Sequence, residues 1–168
     1  MTAQVADRIL IDGRECALFS EPLREYLVGA KIRFTAPNTA LWRGYIARWE
    51  VSNGRLFLLA FWGTVCTVHV NDAARVAECQ RRHEGPCVGR EMDLDGLFPG
   101  SKGRVFAEWV TGRLKIPKGK LLKYVHMGFE SVYENYLTLD VDRGVVRNTT
   151  VEKTRKPAKW WMFWHNAR

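Results

Sequence analysis

Apolar and polar residues alternate along most of this chain with the period of two that belongs to half-buried strands, not the 3.6 of helices. The clearest stretch is Tyr45-Ile46-Ala47-Arg48-Trp49-Glu50-Val51, apolar at the odd positions with Arg48 and Glu50 on the other side. Asn53-Gly54 accepts the positive φ of a tight turn, so the strand returns as Leu56 to Trp62, a run apolar on both faces that reads as a central strand covered on both sides. Trp49 faces that partner and is expected in the core.

The same rhythm opens the chain. Ile9 to Ile11, the turn Asp12-Gly13 and Glu15 to Leu18 predict a hairpin. A short helix should follow, with Ser20 as its cap, Pro22 in its first turn, Leu23, Tyr26 and Leu27 as one apolar stripe, and Gly29 as its stop. From Val105 the strands resume: Phe106 to Val110, the turn Thr111-Gly112, then Arg113 to Ile116 with Leu114 and Ile116 inward and Pro117 as the end. Lys120 to Met127, Val132 to Val141 and Val145 to Val151 continue the series, separated by Lys118-Gly119, Gly128 and Asp142-Arg143-Gly144.

Residues 71–104 break this pattern. They predict a helix from Asp72 to His83 and then a connection rich in Gly and Pro, which together read as an insertion. Long irregular connections often carry function, and they also cover sheet edges. The expected fold is α+β, mostly antiparallel sheet arranged as a hairpin meander or partly open barrel, with a short N-terminal helix and a second helix in the middle insertion. At 168 residues, 46% hydrophobic and 26% charged, the chain has the size and composition of one globular domain, 1–152, followed by a tail, 153–168. No fixed-period repeat points to a solenoid or propeller.

Charge changes the picture at the C-terminus. The net charge is +8, and residues 153–168 contain five basic residues and no acid. There Lys153, Arg155, Lys156 and Lys159 run into Trp160, Trp161 and Trp164. Cations interleaved with aromatics suit nucleic acid, with Lys and Arg on phosphates and Trp stacked on unpaired bases. The same residues suit an anionic membrane surface, and a Trp cluster this apolar also suits docking on the chain's own sheet, a protein partner or a second copy in a homodimer.

The N-terminus shows neither a basic region nor an apolar run of the kind a secretory signal needs, so the chain is expected to start at Met1 and to be cytoplasmic. Leu56 to Asn71 is the longest stretch without Asp, Glu, Lys or Arg, and it is shorter than the roughly 20 apolar residues of a membrane span. In a reducing compartment Cys16, Cys66, Cys79 and Cys87 are expected as thiols or metal ligands. Asn148-Thr149-Thr150 matches a glycosylation acceptor, but that chemistry belongs to a secretory route.

The segment Trp42-Arg43-Gly44-Tyr45, continued to Trp49-Glu50 and followed by Gly54-Arg55-Leu56-Phe57-Leu58, resembles a family of uncharacterised small bacterial proteins with a Trp-Arg-Gly-Tyr strand ending in Trp-Glu. Tyr124-Val125-His126-Met127-Gly128-Phe129 and Tyr133-Glu134 fit the same pattern. The resemblance implies a bacterial cytoplasmic domain and brings no activity or catalytic residue with it.

Three constellations carry candidate chemistry. Cys79, His83 and Cys87 have the donor types and helical spacing for zinc, with Cys66 or His69 as a fourth ligand. Against it, Cys66 and His69 would face opposite sides of a strand, and buried cysteines commonly act as small hydrophobes. His126, Glu130 and Glu134 offer a general acid-base pair, although Gly128 puts a turn among them. The basic tail is the third. Gly96 to Lys102 falls short of a phosphate loop, and no Gly-x-Ser-x-Gly is present. The residues favour a non-enzymatic binding module contacting nucleic acid through Lys153, Arg155, Lys156, Lys159, Trp160, Trp161 and Trp164, without a cofactor. The alternatives are a small enzyme or zinc protein, and a binder of one protein partner, as in toxin neutralisation or host-defence interference.

Overall fold

The computed structural model describes residues 2–30, 32, 34–67 and 88–154. Its strands are β1 (Asp7–Ile11), β2 (Arg14–Leu18), β3 (Tyr45–Ser52), β4 (Arg55–Thr67), β5 (Val88–Met92), β6 (Val105–Phe106), β7 (Gly112–Lys123), β8 (Val132–Asp142) and β9 (Val145–Lys153). Among the described residues two short helices accompany them, α1 (Arg24–Gly29) and α2 (Leu94–Leu97). The strands form one mixed sheet in the order β2-β1-β3-β4-β9-β8-β7, with β5 and β6 also paired to β4. Among the described strands every pairing is antiparallel except β1 with β3. A sheet-dominated α+β fold is what the alternating pattern predicts.

The sheet curves around a single core and does not close. Ile9, Leu18, Ala47, Trp49, Leu56, Leu58, Phe61, Leu114, Ile116, Leu139 and Val141 all point into it. Its two end strands approach where Phe19 N–H donates to the Lys115 carbonyl at 2.7 Å and Lys115 N–H donates to Ser20 Oγ at 2.9 Å. Ser20 therefore bridges to β7 and does not cap α1, whose N-cap, Leu23, makes no side-chain hydrogen bond. The helix is held by packing instead: Tyr26 lies 4.6 Å from Phe98 and 5.0 Å from Trp109, and Trp109 Nε1 donates to the Pro22 carbonyl at 3.1 Å.

Three strands depart from their predicted form: the one expected from Phe106 to Val110 is only Val105–Phe106, and β4 and β7 differ as follows. On β4, Arg48 pairs with Ala60 and Trp49 with Leu58, so Leu59 is an extra residue and the inward positions switch from Leu56 and Leu58 to Phe61 and Val65. This bulge makes the run look apolar on both faces, yet Trp62 is 56% exposed and the outer face is not fully covered. Pro117 does not end β7, which continues to Lys123. Lys115 turns its N–H and carbonyl away from β8, and Pro117, two residues on, puts its missing donor on the same open side.

The insertion is in part sheet. β5 pairs with Gly63–Thr67 of β4, and α2, capped by Asp93 Oδ1 accepting from Gly96 N–H at 2.9 Å, buries Leu94 and Leu97 in the core. The helix predicted over Asp72 to His83 lies outside the described residues. Among the described residues no helix is long and apolar enough to cross a membrane.

Trp49 is fully buried, and its indole Nε1 donates to Asp7 Oδ2 at 3.2 Å. Trp49→Ala is expected to cost about 3 to 5 kcal/mol through the cavity it leaves. Trp49→Phe, which keeps an aromatic ring but loses the donor and part of the volume, should cost about 1 to 3 kcal/mol. Chemical denaturation of both variants checks the order; equal stability of Trp49→Phe and the parent would mean the indole bond contributes nothing.

Candidate ligand-binding site

The Trp-Arg-Gly-Tyr segment leads into β3, and each of its residues does something different. Asn38 Oδ1 accepts from the N–H groups of Ala40 and Leu41, at 2.9 and 3.1 Å, fixing the loop ahead of it. Trp42 is 73% exposed. Arg43 turns inward and donates from Nη1 to the Val5 carbonyl and from Nη2 to Asp7 Oδ1, both at 2.6 Å. Gly44 has φ of +75°, and a Cβ there would come within 2.6 Å of Phe34 Cβ and 2.7 Å of the Thr35 carbonyl oxygen. Only glycine fits both the backbone and the space. Tyr45 is buried at the start of β3.

Asp7 is the hub of this arrangement. Beside the Arg43 contact its Oδ1 accepts from Ala47 N–H at 3.0 Å, while Oδ2 takes the Trp49 indole. Burial pushes its carboxyl above the usual range, and the Arg43 guanidinium and the bonds from Ala47 and Trp49 pull it back.

Around these residues opens a cavity of about 840 Å³. Leu27, Ile32, Phe34, Trp42 and Tyr45 supply its apolar lining, and Glu21, Arg24 and Arg43 its charged groups. A strap, residues 2–5, borders it and is held at several points. Gln4 Nε2 donates to the carbonyls of Thr39 and Thr2, at 2.8 and 3.1 Å, and its Oε1 accepts from Trp42 N–H at 2.9 Å. Gln4 N–H donates to the Gly128 carbonyl at 3.0 Å and Val5 N–H to the Ala40 carbonyl at 2.8 Å. Two buried polar atoms of lining residues have no hydrogen-bond partner, Arg43 Nε and Tyr45 Oη. Such orphans are rare in native interiors because each forfeits its hydration for nothing. Burial first, then the carboxylates of Asp7 and Glu21, raise the Tyr45 hydroxyl well above its ordinary pKa, so it stays a neutral donor. A mostly apolar concavity with a few convergent polar groups is the form small-molecule sites take.

The sequence candidates lie elsewhere. His126 Nδ1 is 3.0 Å from Tyr124 Oη on the exposed connection between β7 and β8. Glu134 Oε2 accepts from Lys120 N–H at 2.9 Å, and Glu130 sits in an exposed turn with its N–H on the Met127 carbonyl. His126 and Glu134 thus have local side-chain partners, and Glu130 is tied through its backbone. Cys66 lies on β4, while His69, Cys79, His83 and Cys87 lie outside the described residues, as do Arg155, Lys156, Lys159, Trp160, Trp161 and Trp164; Lys153 is the exposed last residue of β9. Among the described residues no three His, Cys, Asp or Glu side chains gather to hold a metal ion.

Sequence reasoning placed Tyr45 in a strand and missed Asp7, Arg43 and Glu21. The signal for Asp7 was present: residues 7, 9 and 11 share one side of β1, which puts a carboxylate in line with the buried Ile9. Compared with protein-family models, curated proteins and solved structures, the chain finds no match.

Arg43→Met leaves Asp7 buried without its cation and should destabilise the fold by about 3 to 5 kcal/mol. The double variant Asp7→Leu, Arg43→Met removes both charges and should recover a large part of that loss. A double-mutant cycle by thermal or urea denaturation reads the coupling, and additive losses would show that the two side chains do not depend on one another.

Proposed function

We propose that this chain is a non-enzymatic binding module that holds a small, largely apolar molecule in the cavity between α1, Ile32, Phe34 and the start of β3. The observation that carries this reading is a ligand-sized, predominantly apolar space lined by Leu27, Ile32, Phe34, Trp42 and Tyr45, with the exposed Trp42 indole at its edge. Trp42, held at the rim by the Gln4 bond to its backbone, offers an exposed indole face to whatever enters.

N-phenyl-1-naphthylamine, uncharged and fluorescent in apolar surroundings, is a direct probe. The intact chain should bind it saturably at one site, and Trp42→Ala should weaken binding severalfold. Trp62→Ala, an exposed tryptophan lining a separate cavity of about 700 Å³ near β5, should leave it unchanged. Absence of saturable binding, or loss in Trp62→Ala but not in Trp42→Ala, overturns the assignment.

A second reading rests on the charge distribution. The five basic residues and no acid of 153–168, with their tryptophans, support contact with single-stranded nucleic acid by the tail. Binding of an oligonucleotide should then fall steeply with salt, with a slope reporting the phosphates neutralised, and vanish when 153–168 are removed from a chain that stays folded. Salt-independent binding, or none, rules it out.

A further inference from the structure

The sheet is open along one edge in its middle. β9 meets β4 only where Val145 pairs with Arg55 and Val146 N–H donates to the Gly54 carbonyl at 2.8 Å. Past the register shift opposite Asp140 and Val141 it keeps β8 on one side, and among the described residues no strand pairs with its other side. We propose that a second copy of this chain adds to the sheet along this edge, antiparallel to β9 about a two-fold axis at Val151.

The backbone supplies the template. Thr154 N–H donates to the Glu134 carbonyl at 2.9 Å, and the direction of N–H and C=O alternates along a strand. Glu152, Thr150 and Asn148 are therefore bonded toward β8, while Lys153, Val151 and Thr149 present their backbone groups outward. The Thr149 N–H fits this phase, since its acceptor is the neighbouring Asn148 Oδ1 at 2.9 Å and not β8. Residues 147–153 are exposed throughout. Outward donors and acceptors on an exposed strand invite a further strand. On β7 the open side is interrupted by Pro117, whereas residues 148–154 hold neither proline nor glycine and centre on the β-branched Thr149, Thr150 and Val151.

The side chains select a second copy and its register. Across an antiparallel ladder, outward residues oppose outward residues, so a two-fold axis must sit on a residue of β9. On Glu152 or Lys153 it would set like charges against each other, and on Thr150 it would bring Lys153 opposite Arg147. On Thr149 it would set Val151 against Arg147. On Val151 it opposes Val151 to Val151, Thr149 to Lys153 and Thr150 to Glu152, with no like charges facing. Val151 lies opposite Leu137 and in line with the buried Ile116, on the inward face, yet it is 58% exposed. The second copy covers that apolar surface and carries the inner face of one sheet into the other. Thr149 N–H then exchanges Asn148 Oδ1 for the Lys153 carbonyl of the second copy.

A ladder of this length makes a weak pair, so sedimentation equilibrium of the intact chain from about 5 to about 500 μM should show reversible exchange between one chain and two. Val151→Pro removes an N–H that bonds to nothing within the chain, and Val151→Lys opposes two cations on the axis. Each should weaken the dimer at least about tenfold and leave the melting temperature of dilute protein unchanged. If Val151→Pro lowers that temperature, Val151→Lys and cross-linking decide. In mildly oxidised Val151→Cys, peptide mapping should find a 151–151 disulfide between chains, because the Cα atoms opposed on the axis lie about 5.5 Å apart. Lys153→Cys, whose copies are offset by four residues, roughly 14 Å, should give no 153–153 link. A chain that stays monomeric over this range leaves the edge to a different occupant and overturns the proposal. A dimer untouched by Val151→Lys, or a 153–153 link as abundant as the 151–151 link, overturns it as well.

Discussion

One buried carboxylate fixes the geometry from which everything else is hung. Asp7 takes a backbone N–H from β3, an indole from the core and a guanidinium from the loop before β3, all through two oxygens. A buried ion pair adds little net stability, because the cost of removing two charges from water offsets most of their attraction. What three directional bonds to one group do impose is position. β1 and β3 are the parallel pair in the sheet, with Ile9 opposite Trp49, and a one-residue slip would move Asp7 away from Ala47 N–H and leave its charge unmatched. The carboxylate thus penalises every register but one.

That role explains which parts of the chain were legible in advance. Elements governed by local chemistry were readable: Asn53 and Gly54, at φ of +51° and +69°, turn β3 into β4, and Asp12 and Gly13, at +49° and +73°, turn β1 into β2. Alternation found Leu114 and Ile116 inward and placed Trp49 in the core. Decisions taken by distant partners were not readable. Ser20 is an ordinary helix cap until β7 comes alongside and offers Lys115 N–H, which is 95 residues away in sequence. Pro117 looks like a strand end unless one knows that its nitrogen faces an open edge. The phase change at Leu59 cannot be seen in a run where every residue is apolar.

The site was missed for a related reason. Sequence reading favoured clusters of reactive residues close together along the chain, hence Cys79, His83 and Cys87, or His126, Glu130 and Glu134. The cavity is instead assembled from distant parts of the chain: the strap, the turn leading into α1, α1 itself, Ile32, residues 34–45 and Gly128. None of its polar residues is unusual in isolation. Arg43 and Tyr45 became informative only when the structure placed them together in the lining of one cavity.

The cavity follows from the same packing that makes the core. Glycine at 44 and 63 lets Phe34 lie against the open end of the β3–β4 hairpin; a Cβ at 63 would come within 2.9 Å of Tyr45 Cβ and 3.0 Å of Phe34 Cδ1. Phe34 is fixed there by its bridge to Val65 and by its ring contacts with Tyr45 and Phe61, at 5.3 and 5.2 Å. With Phe34 as one wall and α1 as another, the space between them is bounded by side chains that already have other work in the fold. Arg43 is therefore doubly constrained. Its Nη1 holds the strap at the Val5 carbonyl and its Nη2 holds Asp7. The side chain that pairs with Asp7 and so helps set the register of β1 against β3 also ties down the strap that borders the cavity, so the register and the cavity wall depend on the same residue.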